Sequence, residues 1–304
     1  MVCIIIVIFV LTYTEYSRAM GKARDRLLTG SEILKTSHGD VEYAVQGEGP
    51  AALLLHGAGG GYDQGLWLGK VCLGDGYQFI SVSRYGYLRS SIPEHASIKN
   101  QAALYSALLN HLKIRKVIVI AGSAGGPSAT QFANDYPDRC SALVLVSAVS
   151  RSRAPGDKEE FYVHIIHFIQ QSDYVYWVFT KVLQPTILEL MGIPSKVYES
   201  FTPQQKELAQ EMLNIMHPMS PRYKGTINDG RMLELDSVST GNLSVPTLIM
   251  HARDDALVSY EHAKHAEAKI KQSKLISFDK GGHGLLSLMK EVREYVLEFI
   301  SGLE

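Results

Sequence analysis

Cysteine is scarce in this chain: three residues among 304, Cys3, Cys72 and Cys140, far apart in sequence. That number and spacing exclude a disulfide framework and a C-x-x-C metal site. A surplus of one charge is also missing, with 30 Lys+Arg against 31 Asp+Glu and no long run of either sign. Nucleic-acid binding needs a concentrated basic surface, so no nucleic-acid partner is expected. Internal repeats and low-complexity segments are lacking, and 46% apolar beside 20% charged residues excludes disorder, collagen and coiled coil. What is present is ample material for a buried core, in one large or two small domains.

Part of the apolar fraction is concentrated at the start. Residues 2–11 form an unbroken apolar run, and no charged side chain occurs before Glu15. As a helix, roughly 14 uncharged residues reach about 21 Å, short of the ~30 Å hydrocarbon core of a bilayer. Arg18, Lys22, Arg24 and Arg26 follow, offset by Glu15 and Asp25, which favours a cytoplasmic downstream end. The expectation is a hydrophobic N-terminal segment, residues 1–20, giving membrane association through residues 2–14. A cleaved signal peptide is the alternative, with Ser17-x-Ala19 as its small-residue site and a secreted or periplasmic product, although a basic n-region is missing. A buried or disordered tail on a cytoplasmic protein and a misassigned start codon are the remaining readings.

From residue 31 the pattern alternates. Residues 31–36 and 41–45 flank His38-Gly39-Asp40 and predict a hairpin-like pair. Short apolar runs without polar alternation follow at 51–55, 79–82, 117–121, 143–146, 247–251 and 275–278, as expected of strands buried on both faces of a parallel sheet. Helical spacing lies between them, for example Ala102, Ala103, Leu104, Ala107, Leu108 and Leu112, and at the end Leu285, Leu288, Met289, Val292, Val296, Phe299 and Ile300. The alternation predicts an α/β layered sheet. Residues 151–239 interrupt it: residues 161–183 read as a helix that Pro185 stops, and Thr202-Pro203-Gln204-Gln205 is a capping box opening a helix through Met216. This predicts a helical insertion within a core made of residues 21–150 and 240–304.

Chemistry concentrates where strands meet loops. In residues 117–126 a buried strand runs into Gly122-Ser123-Ala124-Gly125-Gly126 and then a helical pattern. A serine on a tight strand-to-helix turn needs small residues two places to each side, and Ala121 and Gly125 supply them. Such a turn presents Ser123 at the carboxyl end of the sheet and at a helix N-terminus, which favours developing negative charge. A glycine-rich phosphate loop or a mere tight turn is the competing reading. Serine needs a base. Downstream, Asp254-Asp255 lies on a loop after one strand, and His283 sits between glycines after the last, so the chain order is Ser, Asp, His. Upstream, His56-Gly57-Ala58-Gly59-Gly60-Gly61 follows a strand and offers backbone amides for an oxyanion, each typically worth about 3 kcal/mol of barrier. A dinucleotide fingerprint is disfavoured there, because the spacing is not G-x-G-x-x-G and the next strand leads into Ser83-Arg84.

With these four motifs in this order, residues 31–304 resemble the α/β-hydrolase superfamily. The resemblance implies an α/β-hydrolase fold: a mostly parallel eight-stranded sheet flanked by helices, with a helical cap inserted at 151–239. It matches Ser123 to the nucleophile, His283 to the general base and Asp255, which heads Asp-x-x-Val, to the acid, with Asp254 as fallback. It assigns the oxyanion hole to the amides of Ala58 and Ala124, and places His56, Gly57, Gly59 and the cap residue Trp177 near substrate. Two departures stand out. Ala121 replaces the usual glycine, and Ser83-Arg84-Tyr85-Gly86-Tyr87-Leu88-Arg89-Ser90 keeps only Gly86 and Ser90 of the family's pattern, which questions that loop's shape.

The resemblance implies a carboxylesterase-type serine hydrolase acting on a small, largely uncharged ester, with no cofactor and no metal. A serine nucleophile argues against the epoxide-hydrolase and dehalogenase branches. Carbon–carbon hydrolysis of ring-cleavage products, peptidase and thioesterase activity, and a slow-turnover ligand receptor are the alternatives. His164/His167 and His262/His265 lack a third ligand at metal spacing and read as structural, as does His251. Trp177 and the cap tyrosines divide between core and substrate contact.

Overall fold

A computed structural model describes residues 2–152, 161–236 and 243–303. It begins with helix α1 (Val2–Thr29) and the hairpin β1 (Glu32–Thr36) and β2 (Gly39–Gln46). The core continues through β3 (Ala51–Leu55), α2 (Tyr62–Leu73), β4 (Gln78–Val82), α3 (Ile98–His111), β5 (Val117–Gly122), α4 (Gly126–Asp135) and β6 (Cys140–Val146). An all-helical stretch follows: α5 (Phe161–Gln170), α6 (Asp173–Val182), α7 (Gln184–Leu190), α8 (Ser195–Glu199), α9 (Pro203–Ile215) and α10 (Ser220–Leu235). The chain then returns to the core as β7 (Thr247–Ala252), α11 (Glu261–Lys269), β8 (Ser273–Phe278) and α12 (Met289–Ser301).

The eight strands form one sheet in the order β1-β2-β4-β3-β5-β6-β7-β8, antiparallel at β1, β2 and β4 and parallel from β4 to β8. Its two middle strands, β3 and β5, carry no polar side chain because both faces are covered. Leu54, Ile118, Ile120 and Val144 pack into one layer with Leu68 of α2 and Val292 and Val296 of α12. Their neighbours Leu53, Leu55, Val119 and Leu143 pack into the other with Leu104 and Leu108 of α3 and Phe132 of α4. The period of two along each strand thus sorts alternate residues into two cores.

Several local expectations are corrected. The run at 275–278 is not buried on both faces: β8 is an edge strand, and its residues are partly or fully exposed. Residues 161–183 form two helices, because Ser172 caps α6 by accepting from the Val175 amide at 3.3 Å. Pro185 does not stop a helix but sits in the first turn of α7, where its missing N–H costs nothing. At the chain's end, Leu285 has φ 57 inside a 3-10 segment, so the helix stripe begins only at Met289. The Thr202 capping box forms, with Gln205 Oε1 accepting from the Thr202 amide at 2.7 Å. The expected limit of the insertion at 239–240 lies outside the described residues. No helix among the described residues is long and apolar enough to cross a membrane.

Candidate active site

The turn after β5 has the geometry its small residues predict. Ser123 has φ 49, a conformation that is strained for any residue but glycine, and a 3-10 turn leads directly from it into α4. A Cβ on Gly125 would come within 2.6 Å of the Leu55 carbonyl oxygen and 2.8 Å of that of His56, so only glycine lets β3 and the turn approach this closely. Ala121 is fully buried and its methyl group is accommodated, which explains why the usual glycine is dispensable at this position.

The acid and base arrive from two further strand ends. His283 Nδ1 donates to Asp255 Oδ2 at 2.8 Å, which leaves Nε2 unprotonated, the form a general base needs. Asp255 Oδ1 accepts from the Leu257 and Val258 amides at 3.0 and 2.9 Å. His251 Nε2 stands 3.2 Å from Oδ2 and 2.8 Å from the Val258 carbonyl oxygen. Burial pushes the Asp255 carboxyl up. The electrostatic pairing with His283 and the hydrogen bonds from His251, His283 and Val258 outweigh it and hold this group well below the usual carboxylate range. Asp254, the fallback acid, is otherwise engaged: its Oδ1 accepts from the Gly281 and Gly282 amides at 2.9 and 2.8 Å and so braces the loop that carries His283. Among the described residues no hydrogen bond joins Ser123 Oγ to His283; both line one cavity, and such bonds are often long before substrate binds.

The loop after β3 places Gly57 and Ala58 on the same cavity. Ala58 lines the cavity, whereas Ala124, inside the 3-10 turn that follows Ser123, borders a small neighbouring pocket with Arg84, Pro127 and Asp229. His56 is corrected from a substrate contact to a buttress. It is fully buried, its Nε2 accepts from the Arg84 amide at 3.0 Å, and its Nδ1 therefore carries the proton given to the Gly57 carbonyl oxygen at 2.6 Å. Burial, reinforced by the Arg84 charge, holds its pKa well below the ordinary value, so the ring stays neutral. Gly59, at φ 69, lies at the cavity's margin: a Cβ there would stand 2.8 Å from Met216 and 3.2 Å from Gln170 Nε2. The loop at 83–90 keeps its shape through the two retained positions. Gly86 has φ 78, and Ser90 Oγ donates to the Ser83 carbonyl oxygen at 2.6 Å while accepting from the Glu42 amide at 2.9 Å.

The sequence model of the family described as "alpha/beta hydrolase fold" matches residues 50–287. The chain belongs to this family. "Uncharacterized hydrolase YcgS" of Bacillus subtilis (strain 168) is 32% identical over 273 residues, covering 86% of this chain and 94% of that protein. The 2-hydroxy-6-oxo-6-phenylhexa-2,4-dienoate hydrolase of Comamonas testosteroni is 24% identical, covering 80% of this chain and 84% of its own. An esterase structure from Exiguobacterium antarcticum superposes with a TM-score of 0.65 at 22% identity, covering 90% of this chain and 99% of that one. The protein is thus a hydrolase of the α/β fold.

In this α/β hydrolase the helical insertion roofs a cavity of about 240 Å³ over Ser123. Ile166 and Ile169 of α5, Tyr176 of α6, Ile187 of α7 and Met212 of α9 face Trp67, Leu68 and Leu286 of the core. Trp177 is corrected: it packs against Tyr16 and Tyr174, and the neighbouring Tyr176 lines the cavity instead. His262 and His265 hydrogen-bond to Ser150, and no group of metal-ligating side chains occurs among the described residues. Sequence reasoning missed three contributors. Gln64 Oε1 accepts from the Gly57 amide at 3.0 Å and fixes the loop after β3. Gly192, in the turn between α7 and α8, accepts from the His283 and Ala256 amides at 2.9 and 3.3 Å, tying the insertion to the loops that carry Asp255 and His283. Gln170 borders the cavity from the end of α5. Only Gly192 carried a signal, as a glycine closing a helical pattern.

Proposed function

We propose that the protein is a serine esterase that cleaves a small, uncharged ester through an acyl-enzyme. The observation that carries this reading is one cavity uniting Ser123, His283 and the Ala58 loop, with no Asp, Glu, Lys or Arg on its walls among the described residues. His283 Nε2 takes the Ser123 proton as Oγ attacks the ester carbonyl. The Ala58 and Ala124 amides hold the resulting oxyanion, and Asp255 stabilises the imidazolium. His283 then gives its proton to the leaving alcohol, and water, activated by the same nitrogen, releases the acid. A dienoate substrate brings a carboxylate against walls that, among the described residues, hold no Lys or Arg and only His167 and His283 as ionisable nitrogen bases, so its desolvation is poorly offset. That favours ester hydrolysis over carbon–carbon cleavage.

The test is a fluorophosphonate probe together with a panel of p-nitrophenyl esters and a dienoate. Labelling at Ser123 and ester turnover lost in Ser123→Ala are the expected results. An unlabelled Ser123, or turnover untouched by Ser123→Ala, overturns the reading. Labelling with negligible turnover of every substrate points instead to a ligand receptor.

A further inference from the structure

His251 is a histidine inside the sheet. It stands in β7 beside Leu248, Ile249, Met250 and Ala252, all buried and apolar, and its own side chain is fully buried. Its Nδ1 has no hydrogen-bond partner among the described residues, so the ring brings an unpaired polar atom into the core. A leucine or phenylalanine would pack there without that cost. What an apolar side chain cannot supply is the other nitrogen. Nε2 stands 2.8 Å from the Val258 carbonyl oxygen and 3.2 Å from Asp255 Oδ2. Both neighbours are acceptors, so Nε2 carries the ring proton and shares it between them.

His251, Asp255 and Val258 close a circuit. Val258 gives its amide N–H to Asp255 Oδ1 at 2.9 Å and takes the His251 N–H on its carbonyl oxygen, while the same N–H meets Oδ2. The Leu257 amide also binds Oδ1. Without His251, therefore, the backbone would hold the carboxylate by one oxygen alone. A carboxylate held that way pivots, and the oxygen that swings is the one that receives His283 Nδ1 at 2.8 Å. Asp255 and His283 both lie on loops, whereas His251 lies on β7, which is hydrogen-bonded to β6 and to β8. Its ring refers the mobile end of the carboxylate to the rigid sheet.

We propose that His251 is a positioning residue, whose Nε2–H fixes Asp255 Oδ2 to the sheet and so sets the angle at which His283 meets Ser123. It is not among the residues that line the cavity, so it acts through Asp255 and not on substrate. This rests on the esterase reading and adds a side chain to its triad. Such a group acts on kcat: misplacing the base by about 1 Å slows proton transfer by up to about a hundredfold and leaves ground-state binding alone.

The experiment measures kcat and KM for p-nitrophenyl butanoate in the wild type, His251→Leu and His251→Gln, with fluorophosphonate labelling of each. His251→Leu is expected to lower kcat by about ten- to a hundredfold and to leave KM within about twofold. His251→Gln, whose side-chain amide can donate to Oδ2, recovers kcat to within about threefold of the wild type. Three kinetic results overturn the proposal: an unchanged kcat in His251→Leu, a loss carried by KM, or equal losses in both variants, the mark of a packing residue. Thermal unfolding separates a misfolded variant from a misaligned one. A further arm needs no variant to fold: 15N-histidine NMR of the wild type must show His251 as the Nε2–H tautomer. The Nδ1–H tautomer has no proton to give Oδ2 and overturns the proposal. A wild type that labels at Ser123 and turns over ester, with His251→Leu unimpaired, defeats this proposal alone. An unlabelled Ser123 without ester turnover defeats the esterase reading instead.

Discussion

Adjacent carboxylates take different work because their surroundings differ. Asp255 meets an imidazole with one oxygen and two amides with the other, whereas Asp254 meets only the amides of Gly281 and Gly282. Asparagine at 254 retains an oxygen that accepts both amides. Asparagine at 255 either presents its NH2 to His283 or loses the charge that stabilises the imidazolium. Asp255→Asn is therefore expected to lower kcat by about a thousand- to ten-thousandfold, and Asp254→Asn by less than about tenfold. Steady-state kinetics on one p-nitrophenyl ester distinguishes them, and similar losses in both variants would reassign the acid. The sequence made Asp255 legible through its spacing to Val258, whose amide binds the carboxylate at 2.9 Å. Gln170 was not legible: a glutamine ending an apolar helix reads in sequence like any exposed last-turn residue. Its burial depends on the Gly59 loop, more than a hundred positions away.

At the scale of elements, α10 lacks a continuous apolar stripe, with Arg222, Asn228 and Asp229 among its buried residues, yet it holds the insertion on the core. Arg84, after β4, meets Asp229 of α10 with Nη2–Oδ2 at 2.7 Å, and Arg222 of α10 meets Asp63 of α2 with both nitrogens, at 2.8 and 2.7 Å. All four side chains are buried. Removing one partner of such a pair strands a buried charge, so Asp229→Ala is expected to destabilise the fold by about 3–5 kcal/mol, read as a shifted midpoint in urea. A shift below about 1 kcal/mol would mean that solvent reaches Arg84 in the variant. The strands were legible in sequence because central positions such as Leu53 and Leu54 need apolar side chains on both faces. The helix ends were less so: the break before α6 depends on one hydrogen bond from Val175 to Ser172. The ion pairs lay beyond sequence reasoning, since their partners are 145 and 159 positions apart and a charged residue in a helix ordinarily reads as solvent-facing.

Across the whole molecule, α1 runs from exposed side chains at Val10 and Tyr13 to side chains packed on the rest of the fold. From Tyr16 onward it is held: Tyr16 meets Tyr174 edge-on at 5.1 Å, Met20 is 1% exposed, and Arg26 donates to the Ile215 and His217 carbonyl oxygens at 2.6 and 2.9 Å. Upstream, Val10 and Tyr13 are 54% and 52% exposed. Residues 2–14 hold no charged side chain, and as helix they measure about 20 Å, enough to enter one leaflet but not to cross both. We propose that they attach the enzyme to a membrane, with Arg18, Lys22 and Arg24 beside anionic headgroups. Membranes from the expressing host should then retain the full-length protein through a carbonate wash. A chain lacking residues 2–14 should be released, while Ser123 still labels with fluorophosphonate, because among the described residues the walls of the Ser123 cavity include none from that segment. Complete release of the uncut protein defeats the attachment. A mature N-terminus at Met20 would show that the segment is a cleaved leader, and the held part of α1, from Met20 through Arg26, would remain in place on the insertion.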